Sequence, residues 1–384
     1  MRNFEFVNPT KLVFGKGSIT QLAQLIPTST KVMITFGGGS VKANGVYDQV
    51  KAALSAHTCI EFWGIESNPT YETLMKAVEL GRKEKIDLLL AVGGGSVIDG
   101  TKFIAAAIPY TSGEGWDLIK DNSLIKSTIP LASVLTLPAT GSEMNNGAVI
   151  SRTATKEKYP FFADTNFPQF SILDPEVTYS LPKFQVSCGV VDTFVHVVEQ
   201  YLTIPVGTKL MDRWAEGILQ TLVEIAPSLR TEKPDYETMS EFMLSATMAL
   251  NGIVSMGVAE DWATHLIGHE LTALHGLTHG VTLAIVYPAT LRVMREQKHV
   301  KLLQYGERVW GIKEGSATQR IDNAIVATES FFREMGLPTR LNEVNVGEDT
   351  IEEIVRRFTE RNTVLGECGN ITPAVVRQIL NMAK

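Results

Sequence analysis

Cysteine is scarce: Cys59, Cys188 and Cys368 are spread over 384 residues, and none stands in a CxxC pair. An odd number of distant thiols excludes a disulfide-stapled scaffold and suits reduced thiols in a cytoplasm. Long apolar runs are missing too. No stretch approaches the ~18 apolar residues of a membrane span. The opening Met1-Arg2-Asn3-Phe4-Glu5-Phe6 lacks the ~7–15-residue apolar core of a signal peptide. A cytoplasmic chain with no membrane partner is expected. Positive charge is also in short supply, 35 Lys+Arg against 42 Asp+Glu for a net charge of -7. Nucleic-acid footprints are basic, so no nucleic-acid partner is expected. Apolar residues are not lacking, at 44% against 20% charged, which excludes a disordered chain. A chain this long exceeds one small core, and two or three domains are expected.

The first half alternates short β-branched or Leu-rich runs with helical patterns. Lys31–Phe36, Cys59–Trp63, Asp87–Val92 and Ile129–Leu137 read as strands, and Tyr71–Lys85 reads as an amphipathic helix. That spacing predicts βαβ units and a parallel sheet. From about Ser187 the period becomes helical, over Gly189–Leu202, Thr208–Leu229, Glu237–Ser255 and Gly315–Met335. Between the halves Pro160, Pro168, Pro175 and Pro182 forbid any long element, because proline fixes φ and removes a donor. The expected boundary lies near Pro175–Pro182, with an α/β domain over 1–180 and an all-helical domain over 181–384.

Two GGGS turns follow strands, at Gly37–Ser40 and Gly93–Ser96, and the second runs into a helical pattern. Backbone without Cβ atoms beside a helix N-terminus suits a pyrophosphate, although a tight turn that binds nothing would also need glycine. GxGxxG is absent, since Ile98 stands where the third Gly or Ala belongs, and no Gly-Lys-Ser/Thr gives a P-loop. A third polar turn, Thr136–Glu143, ends another strand, and three such turns favour a nucleotide over plain turns. NAD sites commonly place a carboxylate on the ribose, which would repel a 2′-phosphate. After Phe36 the chain offers Gly37–Ser40 and Lys42, with no acid before Asp48. That favours NADP(H).

Histidine is rare, yet five of the seven fall between His196 and His279. Asp192 and His196 are four residues apart, as are His265 and His269, so each pair shares a helical face. Taken alone, Asp192–His196 reads as a simple Asp–His pair worth ~0.5 kcal/mol or less. In an unbroken helix His279 would lie about 21 Å beyond His265, so a common site requires the helix to stop. Gly276 and Gly280 flank His279 and could end it. If they do, Asp192, His196, His265 and His279 could hold a first-row divalent ion at ~2.0–2.2 Å with a position left for substrate. HExxH is absent, because His269-Glu270 is followed by His275. His275 reads as a helix-end residue, and His57 and His299 as solvated side chains.

At these residues the sequence resembles the iron-containing (group III) alcohol dehydrogenase family, in particular its bacterial NADPH-dependent aldehyde reductase and butanol dehydrogenase branch. The match runs along the chain through Lys11–Gly17, Ala91–Asp99, Leu137–Glu143, Leu173-Asp174-Pro175, Val191–His196 and Asp261–Gly280. The resemblance implies a dehydroquinate synthase-like fold, an α/β N-terminal dinucleotide-binding domain with a parallel sheet plus an all-α metal-binding domain. It implies that Asp192, His196, His265 and His279 hold Fe(II) or Zn(II), and that the protein is a homodimer. It assigns Gly38, Gly39 and Ser40 to the adenosine end of the nucleotide. Gly94, Gly95, Ser96 and Asp99 fall to the pyrophosphate and nicotinamide ribose, with Thr136, Thr140, Ser142, Lys158 and Asn68 as further contacts. Much of the family has Pro-His-Gly where this chain has Thr278-His279-Gly280, which keeps the ligand but weakens inference about the loop.

The implied activity is reversible hydride transfer between NADP(H) and a small aldehyde or primary alcohol in the cleft between the domains. His269, one turn beyond His265, is the candidate proton relay, with a packed histidine supporting the metal ligands as the alternative. A metal-dependent lyase or synthase that keeps its nucleotide, as in the dehydroquinate synthase relatives, is the second reading. A non-catalytic nucleotide or metal sensor is the third.

Overall fold

A computed structural model describes residues 1–231 and 234–384. The chain divides into two units. One takes Val7–Pro182 together with the helix Tyr236–Ala249 as far as Thr247. The other takes Met1–Phe6, the segment from Lys183 through the helix Lys209–Leu229, and Met248–Lys384.

The first unit is built on eight strands: β1 (Lys11–Phe14), β2 (Lys31–Phe36), β3 (Thr58–Phe62), β4 (Leu88–Gly93), β5 (Leu131–Leu135), β6 (Gly147–Arg152), β7 (Glu157–Phe162) and β8 (Phe170–Leu173). Six form one parallel sheet in the order β1-β8-β5-β4-β2-β3. Every residue of β4 and β5 is buried, which is why their sequences are nearly continuous apolar runs rather than alternating ones; the one polar residue, Ser133, is hydrogen-bonded to Ser171. The edge strands β1 and β3 are partly exposed. The helix Gly95–Ala107 leaves β4 and is buried along nearly its whole length. Strand order reverses between β2 and β4, and ligands of open α/β sheets bind at the carboxyl ends of strands flanking such a point.

The four strands expected from sequence are β2, β3, β4 and β5, with ends shifted by at most two residues. The antiparallel pair β6–β7 was not expected. Pro160 sits within β7 opposite Val149, which a two-stranded ribbon tolerates because alternate backbone N–H groups point away from the partner.

In the second unit every element from Lys183 onward is helical among the described residues, apart from the isolated bridge Leu365–Ile371. The expected stripe Val191, Phe194, Val195 and Val198 is buried, but so is every other residue from Val186 to Tyr201. This helix is enclosed on all sides, so the polar residues it carries are interior groups.

Candidate metal centre and nucleotide turns

Asp192 and His196 lie on the helix Lys183–Tyr201, and His265 and His269 on the helix Ala263–His275. That second helix stops at His275. Gly276 follows in the left-handed region at φ 67°, a conformation glycine reaches without strain. Three residues later His279 opens the helix His279–Val293, so the chain folds back and His279 returns to the others. Gly280 makes the approach possible. A Cβ there would meet Cys188 O at 2.6 Å, Cα at 2.7 Å and Cβ at 2.8 Å.

Three imidazole nitrogens gather around one carboxylate oxygen. Asp192 Oδ1 lies 3.5 Å from His196 Nε2, 3.7 Å from His265 Nε2 and 3.5 Å from His279 Nε2. These separations exceed normal hydrogen bonds, yet ligand atoms ~2.0–2.2 Å from a tetrahedral ion would sit about 3.3–3.6 Å apart. Asp192, His265 and His279 each present a ligand atom within 4.8 Å of one another. His265 Nε2 is buried and makes no hydrogen bond. The donor set of one carboxylate and three imidazoles therefore fits a divalent first-row ion. His196 stacks on His265 at 4.6 Å between ring centroids, and buried His269 lies 5.4 Å from the His279 ring.

Behind His265 stands Glu199, one turn beyond His196. Its Oε2 contacts His265 Nδ1, and its Oε1 accepts the Thr264 N–H at 2.7 Å. Burial opposes a charge on His265, but Glu199 and Asp192 outweigh it and push the imidazole pKa up to about 9. The field that would hold a proton there equally favours a cation. Burial, then Asp192, pushes the Cys188 thiol up to about 12, a packed and inert cysteine.

The other candidate residues lie in the first unit, most of them on the turns and helix starts that follow three neighbouring strands. Gly38, Gly39 and Ser40 follow β2, Gly94, Gly95, Ser96 and Asp99 follow β4, and Thr136, Thr140 and Ser142 follow β5. A Cβ on Gly95 would lie 2.2 Å from Thr140 Oγ1, so glycine lets these two turns touch. Lys158 on β7 donates to Asn68 Oδ1 at 2.7 Å, and the Asn68 N–H reaches Ser96 Oγ at 3.3 Å. Ser142 Oγ donates to Asp99 Oδ1 at 2.6 Å and Val149 N–H to Asp99 Oδ2 at 2.9 Å.

Sequence reasoning missed Lys102. It is fully buried, and Nζ donates to Ser142 Oγ at 3.0 Å, Asn145 Oδ1 at 2.9 Å and Gly147 O at 2.8 Å. Burial lowers its pKa to about 7 against the pull of Asp99 and Glu143. Its place one turn after Asp99 was the available signal. Glu199 was missed although it follows Asp192 by seven residues, two turns along the same face. His57 is not merely solvated, since Nε2 bonds Ile26 O at 2.8 Å.

The family model for iron-containing alcohol dehydrogenase matches residues 9–175, and that for the Fe-containing alcohol dehydrogenase family C-terminal region matches residues 186–384. The chain belongs to the iron-containing alcohol dehydrogenase family. It is 52% identical to the NADPH-dependent aldehyde reductase YqhD of Escherichia coli over all of both chains. It is 37% identical to the NADH-dependent butanol dehydrogenase A of Clostridium acetobutylicum, covering 100% of this chain and 99% of that one. The crystal structure of E. coli YqhD superposes with a TM-score of 0.98, covering 100% of this chain and 99% of that one at 52% identity. The NADH-dependent butanol dehydrogenase A of Thermotoga maritima does so at 0.95 and 36% identity, with the same coverage.

Proposed function

We propose that this protein is a metal-dependent oxidoreductase that transfers hydride reversibly between NADP(H) and small aldehydes or primary alcohols. The convergence of three histidine Nε2 atoms on Asp192 Oδ1 carries this reading. Asp192, His196, His265 and His279 would hold one Fe(II) or Zn(II), which when bound supplies a Lewis acid for the substrate oxygen. His269, buried beside His279, would pass the proton that the reduced product requires. The turns at Gly38–Ser40, Gly94–Asp99 and Thr136–Ser142, with Asn68 and Lys158, would take the nucleotide, so that domain 1–180 binds cofactor and domain 181–384 holds metal and substrate. Free Cys59, Cys188 and Cys368 support a cytoplasmic location. No helix among the described residues is long and apolar enough to cross a membrane. We take the active species to be a homodimer, on the family resemblance, and expect no nucleic-acid or membrane partner.

Purified protein should consume NADPH in one-to-one stoichiometry with butanal, and metal analysis of anaerobically prepared enzyme should find about one Fe or Zn per chain. A lyase that retains its nucleotide would leave bulk NADPH untouched, and that outcome would reverse the assignment in favour of the dehydroquinate synthase type.

Nucleotide choice turns on charge at the first turn, since relatives named for NADPH and for NADH both align along the whole chain. Lys42 lies 4.1 Å over the Trp63 ring and 5.4 Å from that of Tyr47, so a positive charge is held beside Ser40. Gly39 has φ 105°, which would strain any side chain, whereas a Cβ on Gly38 meets nothing within 4 Å. Gly38→Asp is therefore the clean test. A like charge near the 2′-phosphate costs ~1–4 kcal/mol in a partly exposed site, so kcat/KM with NADPH should fall at least ~fivefold more than with NADH. An unchanged ratio would show that the adenosine end binds elsewhere.

A further inference from the structure

Glu199 is a carboxylate with 1% of its side chain exposed. Among the described residues no lysine or arginine pairs with it. A buried anion without such a partner is costly unless another charge compensates it. Its two oxygens are instead aimed at one structural unit. Oε1 takes the Thr264 N–H at 2.7 Å, and Oε2 takes the neighbouring His265 Nδ1. The Glu199 backbone carbonyl accepts the Asp261 N–H at 2.8 Å. Asp261 in turn accepts from Ala263 N–H at 2.9 Å and pairs with buried Lys298 at 2.8 Å. The entry of the Ala263–His275 helix is thus pinned to Glu199 from both its backbone and its side chain. With Nδ1 engaged by the Glu199 carboxylate, a neutral His265 ring keeps its one proton on Nδ1, which would leave Nε2, the atom turned toward Asp192 Oδ1, free to bind a cation between them.

We propose that Glu199 is the positioning residue of the metal centre: it fixes the tautomer and direction of His265 and supplies the second negative charge that neutralises a divalent ion. This rests on the metal reading above. With a divalent ion bound and both carboxylates ionised, Asp192 and Glu199 would balance its two positive charges and leave this set of ligands and its supporting carboxylate neutral. Removing the Glu199 charge would leave it positive and weaken retention of the ion.

The test uses the intact enzyme stripped of metal and titrated with Zn(II) against a competing chelator, with Co(II) as a spectroscopic probe. Glu199→Gln keeps the volume but loses the charge, and it leaves one carbonyl oxygen to serve two N–H donors. Zn(II) should bind roughly 10–100-fold more weakly, and the visible absorption bands of bound Co(II) should shift. Glu199→Asp keeps the charge on a shorter arm and should recover part of the affinity lost in the glutamine variant. A residue that merely packs would lower the melting temperature of the metal-free protein and leave Zn(II) affinity and the Co(II) spectrum unchanged. That pattern in either folded variant would overturn the proposal. Wild-type protein that binds neither ion would instead overturn the metal reading itself, and this inference with it.

Discussion

Replacing His265 with alanine is expected to abolish metal retention and turnover together. His265 is the histidine backed by Glu199 on one side and aimed at Asp192 on the other, and its Nε2 makes no other bond. Without it the centre keeps one carboxylate and two imidazoles, and the stacked partner of His196 is gone. A Lewis acid contributes several kcal/mol to such a reaction, so aldehyde reduction should fall by roughly a thousand-fold or more. Metal content, measured on the same preparation as the rate, should fall with it. Full turnover by a metal-free His265→Ala protein would end the mechanism, whereas loss of both with an unchanged fold is the predicted outcome.

Gly280→Ala should damage the centre almost as much without touching a ligand. The added methyl would sit 2.6 Å from the Cys188 carbonyl oxygen and 2.7 Å from its Cα. These are backbone atoms of the helix that carries Asp192 and His196, so neither partner can rotate away. Overpacking of this kind costs ~1–3 kcal/mol, and relief requires the two helices to part. His279 is the residue before Gly280, so separation carries its Nε2 away from Asp192 Oδ1. Coordination tolerates shifts of only about 0.2 Å. Zn(II) affinity should therefore drop at least ~tenfold, with a lower melting temperature in the metal-free protein. Gly217→Ala is the control: it lies in the helix Lys209–Leu229, and a Cβ there meets nothing within 4 Å. It should stabilise by ~0.5–1 kcal/mol and leave metal binding alone. Equal behaviour of the two variants would show that helix approach at Gly280 does not set the site.

How far sequence alone carries depends on what each residue does to local pattern. The central strands β2, β4 and β5 were legible because burial on both faces forces mostly apolar, non-alternating runs. The ribbon β6–β7 was not, since Pro160 reads as a break and the burial along both strands alternates irregularly. Helical spacing pairs Asp192 with His196 and His265 with His269, and Gly276 announces the reversal that returns His279 to them. Glu199 and Lys102 stayed hidden for a different reason. A charged residue in a helix is ordinarily solvated, and nothing local shows that the helices Lys183–Tyr201 and Gly95–Ala107 are enclosed by tertiary packing. Buried charges of this kind become visible only when neighbours remote in sequence are in place.

Diffraction data collected at the absorption edge of the metal found in the purified enzyme would address the central claim most directly. One anomalous peak per chain is predicted, about 2.0–2.2 Å from an oxygen of Asp192 and from Nε2 of His196, His265 and His279. A fully active crystal with no peak among these four side chains, or with its peak elsewhere, would contradict the account.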